Sequence, residues 1–123
     1  MSKQSGKNNW YFPDLFWPEG EGLSYVSHEA ICILNSSKND ATLSITLYYE
    51  NAEPLHLPEV ICKAGRTNHI RMDQIRTAEG NLLPRNVGYA ASVESDTPVV
   101  AQYTRVDLSQ GNLALMTCLG YGE

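Results

Sequence analysis

Residues 42–50 constrain this chain more than any other stretch. Leu43, Ile45, Leu47 and Tyr49 fall on one parity, and Thr42, Ser44, Thr46 and Tyr48 on the other. A two-residue period sends alternate side chains to opposite faces of a strand, so the segment reads as a β-strand with one face on a core. Turn-forming clusters flank it, Ser36-Ser37-Lys38-Asn39-Asp40 before and Asn51-Ala52-Glu53-Pro54 after. Further strands are expected over residues 27–35, 55–62, 67–72, 89–94, 98–105 and 113–121, with a short one at 10–16. The best helical candidate, residues 72–78, is too short for more than one turn. Short strands at near-regular spacing with polar connectors predict an all-β chain, an antiparallel β-sandwich of jelly-roll type with about eight strands.

The chain has 123 residues, enough for one core and too few for two. Residues 1–123 are therefore expected to be a single domain, with residues 1–25 as an aromatic arm or edge strand. The longest apolar run, Ala30-Ile31-Cys32-Ile33-Leu34, is far short of the roughly 18–20 residues of a membrane-spanning helix. Residues 1–9 lead into no apolar segment, so a secretory signal is not expected and a cytoplasmic address is. Cys32, Cys62 and Cys118 are odd in number and form no C-x-x-C pair. They read as inert buried thiols rather than a disulfide framework or thiolate zinc site.

Two features need a reason. The run Ala30 to Leu34 is apolar on both parities, and Val60-Ile61-Cys62 and Val99-Val100-Ala101 lean the same way. A sandwich strand ordinarily wets one face, so a second subunit is expected to cover the other; a loop folded over the sheet is the alternative. The second feature is charge. The chain carries a net −5, yet residues 63–85 hold Lys63, Arg66, Arg71, Arg76 and Arg85 against Asp73 and Glu79. An acidic body opposes general adhesion to nucleic acid and leaves room for one local anion-binding patch.

Three polar clusters fall on expected strands: Ser27-His28-Glu29, Arg66-Thr67-Asn68-His69-Ile70-Arg71, and Gln102-Tyr103-Thr104-Arg105-Val106-Asp107. In the second, Thr67, His69 and Arg71 share a parity. Arg71 and Arg105 offer planar five-donor groups suited to carboxylate, phosphate or sugar hydroxyls; alternatively they pair with Glu29, Glu94 or Asp107. A metal site built from His28, Glu29 and His69 is disfavoured, because adjacent strand residues point to opposite faces and no His-x-His pair exists. No nucleophile elbow, phosphate loop or paired-carboxylate motif is present, so no catalytic residue, metal or cofactor is expected. The aromatic run Trp10-Tyr11-Phe12-Pro13-Asp14-Leu15-Phe16-Trp17-Pro18 either plugs one end of the sandwich or offers stacking surfaces, and its prolines suit an edge strand.

Read in order, the stretches Ser27 through Asn35, Ile45-Thr46-Leu47-Tyr48-Tyr49, Arg66 through Arg71, Pro98 through Asp107 and Asn112-Leu113-Ala114-Leu115 resemble the sensory rhodopsin transducer family. The resemblance implies a jelly-roll-like β-sandwich, similar to sugar-binding modules, that assembles as a homotetramer and signals without catalysis. The polar positions it carries over are His28, Glu29, Arg66, His69, Arg71, Gln102, Thr104 and Arg105. The aromatic arm and residues 73–88 match least, and such regions often choose partners.

Three functions follow as expectations. The first is a non-enzymatic cytoplasmic adaptor that meets the cytoplasmic face of a membrane receptor, with DNA as a weakly supported further partner. The second is a sensor for a sugar or anionic small molecule, with Arg71, His69, Gln102 and Arg105 as donors and Trp17 or Tyr103 stacking. A cupin-like metal enzyme is the third and least supported. A pH switch through His28 or His69 is a further possibility, against plain hydrogen bonding.

Overall fold

The computed structural model describes residues 5–22 and 25–123. The expectations for residues 1–4 and for positions 23 and 24 of the arm lie outside the described residues. Nine strands follow in chain order: β1 (Lys7–Phe16), β2 (His28–Asn35), β3 (Ala41–Tyr49), β4 (Ala52–His56), β5 (Val60–Cys62), β6 (Arg66–Arg71), β7 (Gly88–Asp107), β8 (Ala114–Leu119) and β9 (Tyr121–Gly122). All strand pairings are antiparallel. The all-β sandwich expected from the alternation is the observed fold, with nine strands among the described residues rather than about eight.

Strand β3 behaves as its period demands. Ala41, Leu43, Ile45 and Leu47 are buried, while Thr42, Ser44 and Thr46 sit on the outer side, half-buried. One layer runs β4-β3-β7-β1-β9, with β5 also on β3; the other is built of β6, β2, β7 and β8. Strand β7 belongs to both. Its first half, to Ser95, pairs with β3 and β1, and its second half, from Val100, pairs with β2 and β8.

Two separate strands, over residues 89–94 and 98–105, were expected where β7 runs unbroken. The reason is local. The Ser95 hydroxyl donates to Thr97 O at 2.6 Å and accepts from Thr97 N at 3.2 Å, and Asp96 Oδ1 accepts from Thr42 N at 2.8 Å. Side-chain oxygens thus satisfy backbone groups where the strand exchanges partners, and Pro98, which has no N–H to give, sits in that crossing. Odd-numbered residues from Tyr89 to Tyr103 stay buried throughout, so one edge of β7 follows the core through both layers.

Other boundaries shift. The strand expected over 55–62 is two strands, β4 and β5, parted at Leu57-Pro58-Glu59. The one expected over 113–121 divides at Gly120 into β8 and β9. Residues 72–75 make a single turn, with Ile75 N bonding Arg71 O at 3.0 Å.

Most of the aromatic run is core, although Tyr11 is exposed. Trp10, Phe12, Leu15 and Trp17 are buried, which removes Trp17 as a stacking surface. Strand β1 lies along β7 and meets β9 only at Trp10 and Tyr11, so Pro13 falls beyond that second ladder. Gly120 lets the chain pass close by: a Cβ there would stand 2.7 Å from the Phe12 ring and 3.2 Å from Trp10. Because Phe12 is buried and cannot swing away, Gly120→Ala is expected to destabilise by about 1–3 kcal/mol through overpacking. Urea denaturation of the two proteins checks it, and equal midpoints would show that the ring gives way freely.

Candidate functional site

The register of the second layer decides which candidate residues meet. On β2, Glu29, Ile31, Ile33 and Asn35 point into the core, and His28, Ala30, Cys32 and Leu34 point out. Opposite Ala30, Cys32 and Leu34 on β6 lie Arg71, His69 and Thr67; on β7 lie Thr104, Gln102 and Val100. Strand β8 extends two of these rows with Thr117 and Leu119. Five of the eight candidates, His28, His69, Arg71, Gln102 and Thr104, therefore share one outer face, with apolar Ala30, Cys32 and Leu34 down its middle. His69 and Gln102 are exposed; His28, Arg71 and Thr104 are half-buried.

Several of these side chains already have partners. Arg71 makes a bidentate ion pair with Asp73, Nε to Oδ1 at 2.7 Å and Nη2 to Oδ2 at 2.8 Å, rather than with Glu29, Glu94 or Asp107. The Asp73 partner raises the Arg71 pKa further. Thr104 and Thr117 hydroxyls lie 2.9 Å apart, and Thr117 donates to Tyr103 O at 3.1 Å. His28 Nδ1 is 2.7 Å from Val26 O; since a carbonyl only accepts, that nitrogen carries the proton. Arg66 is exposed at the end of β6, its Nη1 donating to Ala64 O and Gly65 O at 3.2 Å each.

Glu29 and Arg105 do not reach that face. Glu29 is fully buried and lies opposite Arg105 in the β2–β7 ladder. Tyr89 donates to Glu29 Oε1, Tyr103 donates to Oε2, and Phe16 N donates to Oε2 at 3.2 Å. Arg105 Nε donates to the Tyr103 hydroxyl at 3.1 Å, so the guanidinium reaches Glu29 through a phenol. One carboxylate thereby joins β1, both halves of β7, and β2. Burial raises its pKa by more than the hydrogen bonds from Tyr103, Tyr89 and Phe16 lower it. The same burial, with the carboxylate alongside, pushes both tyrosine hydroxyls well above their ordinary value. Tyr103 is fully buried in this group, so it is not an exposed stacking platform.

The remaining sequence expectations are sorted by geometry. His28 and Glu29 do face opposite ways, and among the described residues no cluster of His, Cys, Asp and Glu could hold a metal ion. Cys62 is buried and Cys32 half-buried, with burial raising both thiol pKa values. Cys118 is exposed, contrary to expectation, because β8 projects beyond the core. The basic stretch is dispersed: Arg71 is held by Asp73, Lys63 lies 3.6 Å from Asp40, and Arg85 stacks 4.4 Å from the centre of the Trp17 ring. Sequence reasoning missed Tyr89 and Tyr49, whose roles depend on which strands pack together. It also missed that every residue of β8 is exposed, although the apolar Leu113, Leu115, Met116 and Leu119 were a signal.

These features place the protein among the antiparallel β-sandwiches with an open, mixed polar and apolar sheet face. The chain belongs to the Anabaena sensory rhodopsin transducer family, whose sequence profile it matches over residues 5–122. Among solved structures it is similar to Thermotoga maritima 1070, at 34% identity and a TM-score of 0.87 over 96% of each chain. It is likewise similar to the Anabaena sensory rhodopsin transducer itself, at 30% identity and a TM-score of 0.75 over 85% of this chain and 92% of that one. No curated protein matches it. Among the described residues no helix is long and apolar enough to cross a membrane.

Proposed function

We propose that the protein is a non-enzymatic cytoplasmic transducer that works as a homotetramer and carries a signal from the cytoplasmic face of a membrane receptor of the sensory rhodopsin kind. Family membership supports the signalling role. In this reading residues 1–123 act as one domain. His28, His69, Arg71, Gln102 and Thr104 form the contact face, Arg66 stands at the end of its β6 edge, and Glu29 and Arg105 brace it from behind.

The observation that carries the assembly is β8. It lies at one side of its layer, is exposed along its whole length, and presents Leu115 and Leu119, each 66% exposed, on one face and Met116 on the other. An apolar edge strand left open invites pairing with another chain, and the occupant proposed is a second copy. Native mass spectrometry is the test, and a tetramer is expected. Replacing Leu115 and Leu119 together by Glu is expected to weaken association about a hundredfold or more, since burying a leucine contributes about 1.5–3 kcal/mol and each 1.4 kcal/mol is about tenfold. A monomer from the unsubstituted protein would sink the oligomer reading.

A ligand-gated version, in which the same face takes a sugar or an anionic metabolite, draws on the exposed row of Thr67, His69 and Gln102. The anionic form has less behind it, because Arg71 is committed to Asp73. Added mass on the tetramer in the same spectrum would favour gating. DNA binding gains nothing from the dispersed cations.

A further inference from the structure

At the far end of the first layer, where β3 turns into β4, the surface opens into a cleft of about 640 Å³. Tyr49, Glu50, Glu53 and Leu55 around the β3–β4 turn line it, together with Pro84 and Val87 from the segment before β7. A smaller cavity of about 310 Å³ adjoins it across Tyr49, Glu50 and Gly88, and adds Tyr48 and Asp14. The larger space falls in the ordinary range for a small-molecule site.

The composition of the two cavities is one-sided. Asp14, Glu50 and Glu53 supply three carboxylates, and no Lys, Arg or His lines either cavity. None of the three carboxylates is in an ion pair among the described residues. Apolar surface comes from Leu55, Pro84 and Val87, and an aromatic face from Tyr49. Carboxylates, an aromatic side chain and aliphatic side chains around one cleft are complementary to one ligand class, a cation on an apolar body.

Tyr49 also connects the cleft to the interior. Its ring stacks on Tyr89 with centroids 5.7 Å apart, and Tyr89 donates to Glu29. The Tyr49 hydroxyl is shut off from solvent and, among the described residues, is the one buried side-chain polar atom without a hydrogen-bond partner. Asn86, which also lines the cleft, takes a φ of 59°, the one non-glycine residue with positive φ in the described chain, and its N–H donates to Trp17 O at 2.9 Å. That conformation costs a non-glycine residue free energy and persists where surrounding contacts impose it.

We infer that this cleft binds a small organic cation, a primary ammonium or guanidinium on an apolar body, between Tyr49 and the carboxylates of Glu50 and Glu53. The inference goes beyond the transducer reading and does not depend on it, since no residue lining the cleft belongs to β8 or to the outer face of the second layer. Bound there, the ligand touches the tyrosine that stacks on the Glu29 cluster.

The test is titration calorimetry on the full chain at low salt with three probes of one shape: phenethylammonium, 2-phenylethanol and 3-phenylpropanoate. Phenethylammonium is expected to bind, and the alcohol and the carboxylate to bind at least about tenfold more weakly. Replacing Glu50 and Glu53 together by Gln, both exposed and outside the core, is expected to cost phenethylammonium about tenfold in affinity, as two solvent-screened charge contacts warrant. Equal binding of the alcohol would make the cleft merely apolar and overturn the inference. So would full affinity in the double variant, or no binding of the cation. Binding of a capped lysine peptide in place of the free amine would also overturn it, by assigning the cleft to a protein partner.

Discussion

Replacing Glu29 by Ala is expected to destabilise the fold by about 3–5 kcal/mol, the cost of removing one member of a buried charged cluster. The substitution strands the buried Tyr89 hydroxyl and leaves the Tyr103 hydroxyl and the Phe16 amide with only long contacts to each other's residue, at 3.5 and 3.4 Å, and each unsatisfied donor costs about 1–3 kcal/mol. Glu29→Gln keeps the volume and some of the bonds, and should cost less. Its diagnostic effect is on pH dependence. The folded-state pKa of Glu29 is raised above the ordinary 4.5, so between these two values the folded state holds more protons than the unfolded one. Stability therefore falls as pH rises from about the ordinary value through the raised one, and is flat above it with respect to this group. Urea denaturation across that window should show the decline in the parent protein and a shallower profile in Glu29→Gln. Parallel profiles would assign the pH dependence to other groups.

Trp10→Ala should be comparably damaging, at about 3–5 kcal/mol, from lost burial and the cavity left behind. The indole is buried, donates to Val99 O at 2.8 Å, and forms the floor beneath Gly120 and Gly122. Its loss should loosen β9 first. That strand is held to β1 at Trp10 and Tyr11, and by reciprocal bonds between Asn9 and Glu123 at 3.0 and 2.9 Å. Hydrogen exchange should therefore rise at Asn9 and Glu123 before it rises in β3. Uniform protection in the variant would mean that β9 is held by its backbone bonds alone.

The fold was largely legible because strands announce themselves by period. Residues 42–50 alternate strictly, and β3 follows them within a residue at each end. Where side chains do the work of backbone partners, as Ser95 and Asp96 do, sequence and strand part company: the same polar residues that signal a turn elsewhere here sustain one long strand. The outer face was half legible. Parity alone put Thr67, His69 and Arg71 together, while the grouping with Gln102 and Thr104 needed the β2 register. Of the Glu29 cluster only the Glu29–Arg105 pairing was among the sequence alternatives, and it runs through the Tyr103 hydroxyl rather than directly. The three donors to Glu29 come from positions 16, 89 and 103, and no local pattern links Phe16 and Tyr89 to the rest. Arg71 illustrates the converse, since its partner Asp73 stands two residues away along the chain and not across a strand.

The double membership of β7 bears on how the chain acquires its structure. Neither layer can close without β7, and its neighbours β1, β2 and β3 all precede it by at least about forty positions. Closing such loops before native contacts form carries an entropic cost, and chains rich in distant pairings cross their rate-limiting barrier slowly. The two layers should therefore appear in a single kinetic phase, with no populated species in which one is complete and the other absent.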